Sequence, residues 1–304
     1  MARRRTPPPP LDLVHLLPSW ELALRAERKS PATVKSYGDG VRRFLEWAET
    51  ADVPPVLDKE TVNKFVSALL DAGAEAATAR ARHLALRRFS QWLVEEGEAD
   101  EDMLMGSKPP KLDQKVIPSL SDAECVALIK ACKGSDLRDR RDEAIVRLML
   151  ETGMRAGEVC DLTVDSVNLA SGIITVIRGK GGKGRVVPIS AQTGRAIDRY
   201  MRARRGHLLA DSRDLWVGDR GKTLAYYGLH KTLKWRAELA GITGFTPHVL
   251  RHTAASRWLA AGGSEGGLMA VAGWSTRDMI DRYTQDTAAA RAAEEARRLG
   301  LGDL

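Results

Sequence analysis

Two arginines, a lysine, a histidine, a tryptophan and a tyrosine in the second half of the chain could together act on a phosphodiester. Arg155 and Arg251 carry planar guanidinium groups, which bind phosphate oxygens bidentately. Lys180 stands between glycines in Gly179-Lys180-Gly181, so its side chain can reach past its neighbours. His248 can accept a proton near neutral pH, and Trp274 offers one indole N–H. Tyr283 is a weak nucleophile alone, because a phenol titrates near pH 10. Attack on phosphorus becomes reasonable where cations stabilise the developing charge and an acid protonates the departing sugar oxygen. Side chains supply those cations, so the chemistry calls for no metal and no cofactor. Taken singly, each residue also has an ordinary explanation: an exposed ion pair for Arg155, a solvated turn for Lys180, a hydrogen-bonded histidine for His248 or His252, and core aromatics for Trp274 and Tyr283.

Local elements must bring these groups together. In LETGMRAGEVCDL (150–162), Gly153 can close the preceding helix in the left-handed conformation, which sets Arg155 at the start of the next one. Backbone N–H groups there favour an anion. Glu158, three residues on, lies on the same face and can hold the guanidinium. SGIITVIRGKGGKGRVVPIS (171–190) reads as a β-hairpin: a β-branched run, a Gly/Lys turn and a return strand from Arg185, with Lys180 and Lys183 at the tip. In TPHVLRHT (246–253), Thr246 as N-cap and Pro247 as the first helical residue start a helix that projects His248 and Arg251 from one face, a turn apart. In GWSTRDMIDRYTQD (273–286), Ser275 and Asp278 form a capping box, with Met279, Ile280 and Tyr283 at helical spacing behind it.

The first third reads as a helical bundle. Ser30-Pro31 opens a helix whose stripe is Val34, Tyr37, Val41, Phe44 and Ala48. Asp58 opens another, burying Val62, Phe65, Val66 and Leu69 and ending at Gly73. A third runs from about Ala77 to Glu96, burying Leu84, Phe89, Trp92 and Leu93, with Arg80, Arg82, Arg87 and Arg88 on its other face and Gly97 as its stop. Residues 1–11 are a basic, proline-rich tail. Residues 12–103 form the helical domain. Residues 104–118, with paired prolines and little core material, form a linker, and 119–304 form a second domain with a helix-prone tail at 287–304. That domain opens with a capping box at Ser121–Glu124 and a helix burying Val126, Ile129 and Cys132. A strongly apolar helix at 141–152 follows, with Ala144, Ile145, Leu148 and Met149.

The 304 residues carry 43% hydrophobic and 29% charged side chains, the balance of a soluble globular protein. No apolar run approaches the roughly 18 residues of a membrane span. The start MARRRTPPPP lacks the apolar region of a secretory signal. Cys125, Cys132 and Cys160 show no metal spacing and fit reduced thiols of the cytoplasm. The formal charge of +7 permits nucleic-acid binding without establishing it. Arginines cluster at 3–5, 80–88 and 202–205.

In this order and spacing, TGMRAGEV, GKGGKGRVVP, HVLRHT and GWSTRDMIDRY resemble the tyrosine recombinase, or phage integrase, family, over about residues 119–285. SPATVKSYGDGVRRFLEWAE (30–49) is similar, less specifically, to that family's helical core-binding domain, which is SAM-like. The resemblance implies a mainly α protein with a small antiparallel β region, whose core-binding and α+β catalytic domains form a C-shaped clamp on DNA. It implies site-specific cutting and rejoining of duplex DNA through a 3′-phosphotyrosine, without ATP or metal. Arg155 and Arg251 would clamp the scissile phosphate and Glu158 would orient Arg155. Lys180 would protonate the departing 5′ oxygen, with Lys183 as its rival. His248 would assist proton transfer at the tyrosine. Trp274, where many members have histidine, would hydrogen-bond the phosphate, and Tyr283 would attack. Implied DNA-facing residues are Thr33, Lys35, Tyr37, Arg80, Arg82, Arg87, Arg88 and Lys183. Implied partners are double-stranded DNA with inverted core-type sites, three further copies in a tetrameric synapse formed from a protein monomeric when free, and accessory DNA-bending or directionality proteins, with no membrane. An additional arm-binding domain is not expected. Two other functions compete: DNA relaxation of the type IB topoisomerase kind, and a DNA-binding module without catalysis.

Overall fold

The computed structural model describes residues 11–112, 119–177, 184–218 and 221–274, together with Ile280 and Arg297. Lys180, Lys183 and Tyr283 lie outside the described residues, as do the 1–10 tail, residues 113–118 of the expected linker, Ser275 and Asp278 of the last capping box, and all of the 287–304 tail but Arg297. The chain divides into two compact units, residues 1–115 and 116–304.

The first unit contains α1 (Leu13–Ala26), α2 (Pro31–Thr50), α3 (Lys59–Asp71) and α4 (Ala76–Glu95). The start signals act as their chemistry requires. Ser30 Oγ accepts the Thr33 N–H at 3.1 Å, with Pro31 first in the helix. Asp58 accepts the Thr61 N–H at 2.7 Å. Trp20, Val41, Phe44, Val62, Phe65, Leu86, Phe89 and Leu93 fill the core. Close approach of α2 to α4 depends on Gly40, where a Cβ would lie 2.4 Å from the Ala85 methyl. Leu84 departs from expectation: it is 41% exposed, while His83 and Leu86 on either side are buried. α4 packs on both α2 and α3, so its buried face is centred on Ala79, His83, Leu86 and Ser90, and Leu84 falls outside it. The segment expected to hold little core begins with Leu104, fully buried in this unit. Ser107 Oγ hydrogen-bonds the buried His83 Nε2 at 2.8 Å.

The second unit opens on α5 (Asp122–Ala131), capped reciprocally by Ser121 and Glu124. Its inner face is Cys125, Leu128 and, as expected, Cys132, with Ile129 half-buried against the core; Val126, expected inside, is 65% exposed. Two apolar stripes run along this short helix, and packing against its neighbours selects one. α6 (Leu137–Thr152) buries Ala144, Ile145, Leu148 and Met149 at the centre of the core. α7 (Ala156–Cys160) follows. Then comes an antiparallel sheet of β1 (Val167–Asn168), β2 (Ile173–Val176) and β3 (Arg185–Pro188) in the order β1-β2-β3. The expected hairpin is β2–β3, with Ile174 opposite Val187. β1 is too short to carry a sequence pattern. α8 (Ala191–Arg204), α9 (Tyr226–Leu239), α10 (Pro247–Ala260) and α11 (Glu265–Ala272) complete the described elements. The architecture is mainly α with a small antiparallel sheet.

Candidate active site

The site assembles around the C-terminal turn of α11. A helix end leaves carbonyl oxygens without intrahelical partners and carries partial negative charge. Three guanidinium groups from three parts of the chain occupy three consecutive carbonyls there. Arg185 Nε donates to Val271 O at 2.8 Å, Arg251 Nη1 to Ala272 O at 2.8 Å, and Arg155 Nη2 to Gly273 O at 3.1 Å. Gly273 caps the helix at φ +66°, and a Cβ there would meet the Arg185 guanidinium at 2.8 Å. The position therefore requires glycine twice, for its backbone and for the space above it.

Arg155 arrives through the turn at Gly153, which ends α6 in the left-handed conformation at φ +62°. Arg155 is the N-cap of α7. Its backbone N–H donates to Glu158 Oε2 at 3.0 Å and its Nη1 to Glu158 Oε1 at 2.9 Å. Glu158 also accepts both terminal nitrogens of Arg185, at 3.0 and 2.8 Å. Burial by itself would raise the Glu158 pKa. The hydrogen bonds and charges of Arg185 and Arg155 outweigh it and hold the carboxyl below its usual range. Glu158 is thus a fixed anion between two cations.

His248 and Arg251 lie in α10, which begins at Pro247 as expected, although the Thr246 side chain makes no capping bond. Arg251 is 1% exposed and bonds Gly153 O as well as Ala272 O, joining the turns that follow α6 and α11. Its guanidinium carbon lies 5.1 Å from the centre of the buried Trp274 ring. Solvent reaches His248, yet the protein packed about the ring, and then the charges of Arg251 and Arg155, hold its pKa below the ordinary histidine value. The shift favours the neutral imidazole, the form able to accept a proton. Ile280 packs with Ala255, Leu259, Leu268, Ala272 and Trp274 in the cluster formed by α10 and α11.

The structure thus brings together Arg155, Glu158, His248, Arg251 and Trp274. Arg185 joins them although its sequence position marks only the start of a strand. Among the described residues, no group of three or more His, Cys, Asp or Glu could hold a metal ion.

Behind the site, the buried His252 ring meets His248 edge-on, with centroids 4.7 Å apart. Burial, then His248 and Arg251, press the His252 pKa down to about 4. The native ring stays neutral where the unfolded chain takes up a proton, so protons favour unfolding. The stability is fully present above about pH 6.5 and is lost as pH falls toward 4, a change on the order of 2–3 kcal/mol. Urea midpoints at pH 7 and pH 4.5 should show this loss in the wild type and a smaller loss in His252→Gln. An equal acid sensitivity in the two proteins would rule His252 out as its source.

In the first unit, the four arginines expected on one face of α4 do not all point the same way. Lys35, Arg80 and Arg88 are exposed, and Thr33 and Arg87 are half-exposed. Arg80 donates to Pro110 O at 3.1 Å and Arg88 to Gln91 Oε1 at 3.4 Å. Arg82 turns the other way, donating to Ser36 O of α2 at 3.2 Å. Two residues along a helix rotate a side chain by about 200°, which separates Arg82 from Arg80. Tyr37 stacks on Trp20 with centroids 5.9 Å apart, so it serves the core as well as the surface.

Comparison with known proteins places these features in a family. The model described as "Phage integrase family" matches residues 118–290, and "Phage integrase, N-terminal SAM-like domain" matches residues 17–97. The chain is 31% identical over 286 residues to the tyrosine recombinase XerD of Corynebacterium glutamicum, covering 90% of this chain and 94% of that protein. Among solved structures it is similar to the XerA recombinase, with a TM-score of 0.54 and 26% identity over 94% of this chain and 98% of that one. It also shares the fold of a lambda integrase tetramer bound to a Holliday junction, with a TM-score of 0.67 and 16% identity over 91% of this chain and 83% of that one.

Proposed function

The chain belongs to the phage integrase family and is a recombinase enzyme, and from that premise we propose that it cuts and rejoins duplex DNA at specific sites through Tyr283. The phenol oxygen attacks the scissile phosphorus. The bond from phosphorus to the 5′ oxygen breaks, and a 3′-phosphotyrosine ester forms. His248 takes the phenol proton, and Lys180 delivers a proton to the departing 5′ oxygen. Arg155 and Arg251 stabilise charge on the phosphate, Glu158 fixes Arg155, and Trp274 packs the site and donates an indole hydrogen bond. The ester is close in energy to the phosphodiester it replaces, so a 5′ hydroxyl from a partner duplex reverses the step without ATP. Strand exchange on this scheme takes place in a tetramer on paired inverted sites, in the cytoplasm, with the helical domain of the first unit holding the core site.

The observation that carries the reading is the arrival of Arg155 and Arg251 on the adjacent carbonyls of Gly273 and Ala272, directly before Trp274. Two cations from distant segments, beside a neutral histidine, form a place for one phosphate. The test uses supercoiled plasmids with and without paired target sites, together with a nicked suicide duplex carrying the site. Recombinant products on paired sites, and a covalent protein–DNA adduct on the suicide duplex, are expected. Relaxation of every plasmid regardless of sequence would instead indicate a topoisomerase, and binding without any adduct would indicate a module that has lost catalysis.

A further inference from the structure

Arg185 has no assigned part in the chemistry above, yet it is bound into the site at every nitrogen of its guanidinium. Its two terminal nitrogens span the Glu158 carboxylate, and its Nε holds Val271 O. Its side chain is 12% exposed, against 27% for Arg155. Glu158 therefore pairs more fully with Arg185 than with Arg155, from which it accepts one side-chain hydrogen bond. The three groups sum to one positive charge. Among the described residues Arg155 engages two of its five N–H donors, to Glu158 and Gly273, and it is the more exposed of the two arginines.

We propose that Arg185 is a positioning residue that absorbs the charge of Glu158, so that Arg155 is oriented by the carboxylate without being neutralised by it and presents a full positive charge to the scissile phosphate. An orienting carboxylate alone would form a closed ion pair with Arg155 and cancel the charge that the phosphate needs. A second, buried arginine removes this conflict between orientation and charge. Because Arg185 begins β3, its bonds to Val271 and Glu158 also fix the start of that strand against the arginine site.

The proposal rests on the recombinase reading, and its test separates the two. Single-turnover adduct formation on saturating suicide duplex is measured alongside DNA affinity and the urea midpoint. Adduct formation by the wild type is the control for the reading itself, and its absence would overturn both. Given that adduct, Arg185→Gln should cleave about 100-fold more slowly, in the range expected when a reacting group is misplaced or loses its charge support, with DNA affinity changed less than a few-fold. Glu158→Gln added to Arg185→Gln should recover part of the lost rate by restoring the single positive charge. Arg185→Lys, which keeps the charge, should cleave faster than Arg185→Gln. A wild-type rate in Arg185→Gln overturns the proposal while leaving the recombinase reading intact. So does a double variant slower than Arg185→Gln, or an Arg185→Lys rate no better than Arg185→Gln. If Arg185→Gln does not fold, the comparison of Arg185→Lys with Arg185→Lys/Glu158→Gln decides: an intact charge balance predicts that the second change brings no recovery, and recovery would overturn the proposal.

Discussion

Tyr283→Phe leaves the protein able to bind its target duplex and unable to form a covalent adduct with it. The substitution removes one oxygen and keeps the ring, so whatever packing the aromatic side chain provides is retained. No other group in the scheme can take its place: the guanidinium groups of Arg155 and Arg251 are not nucleophiles, and water would give a free 3′ phosphate rather than a protein ester. The expected loss is complete on a denaturing gel with labelled suicide duplex, with band-shift affinity within a few-fold of wild type. An adduct of unchanged yield would show that another residue is the nucleophile.

Arg251→Ala should slow cleavage by about 1,000-fold, the scale of removing a preorganised charge from a site where charge develops. The residue is 1% exposed and bridges Gly153 O and Ala272 O, so its loss acts twice. It removes charge from the phosphate site, and it takes a donor from two buried carbonyls, at about 1–3 kcal/mol for each one left unpaired. Stability must therefore be read beside the rate. Arg251→Lys retains a cation but not the planar fork, and should fall between wild type and Arg251→Ala in cleavage. Wild-type cleavage in a folded Arg251→Ala protein would remove Arg251 from the mechanism.

What was legible in the sequence follows from how far each interaction reaches along the chain. The left-handed turn at Gly153, the Arg155–Glu158 pair, the Ser30, Asp58 and Ser121 caps and the helix start at Pro247 are local, and each is written in a few adjacent residue types. The β2–β3 hairpin is nearly so, its turn chemistry and β-branched strands lying within one short segment. Arg185 could not be found that way. Its partners stand 27 residues before it and 86 residues after it, and an arginine opening a strand carries no signature of a buried ion pair. The exposed Leu84 and Val126 show the same limit in packing. Periodicity gives a helix an apolar side, but neighbouring elements choose which of two adjacent stripes turns inward. Arg82 shows a related limit, because its bond to Ser36 O joins α4 to α2 across 46 residues of chain and no local pattern announces it.

The turn at residues 271–273 has a consequence for how this site tolerates change. Three guanidinium groups share one short stretch of backbone, and two of them also share one carboxylate. Displacing any of them alters the seat of the others, so substitutions at 155, 185 and 251 are epistatic, and a double variant should lose less than its two single losses would predict. Drift at these positions has few viable single steps, and replacement of one cation becomes tolerable when its neighbours change with it.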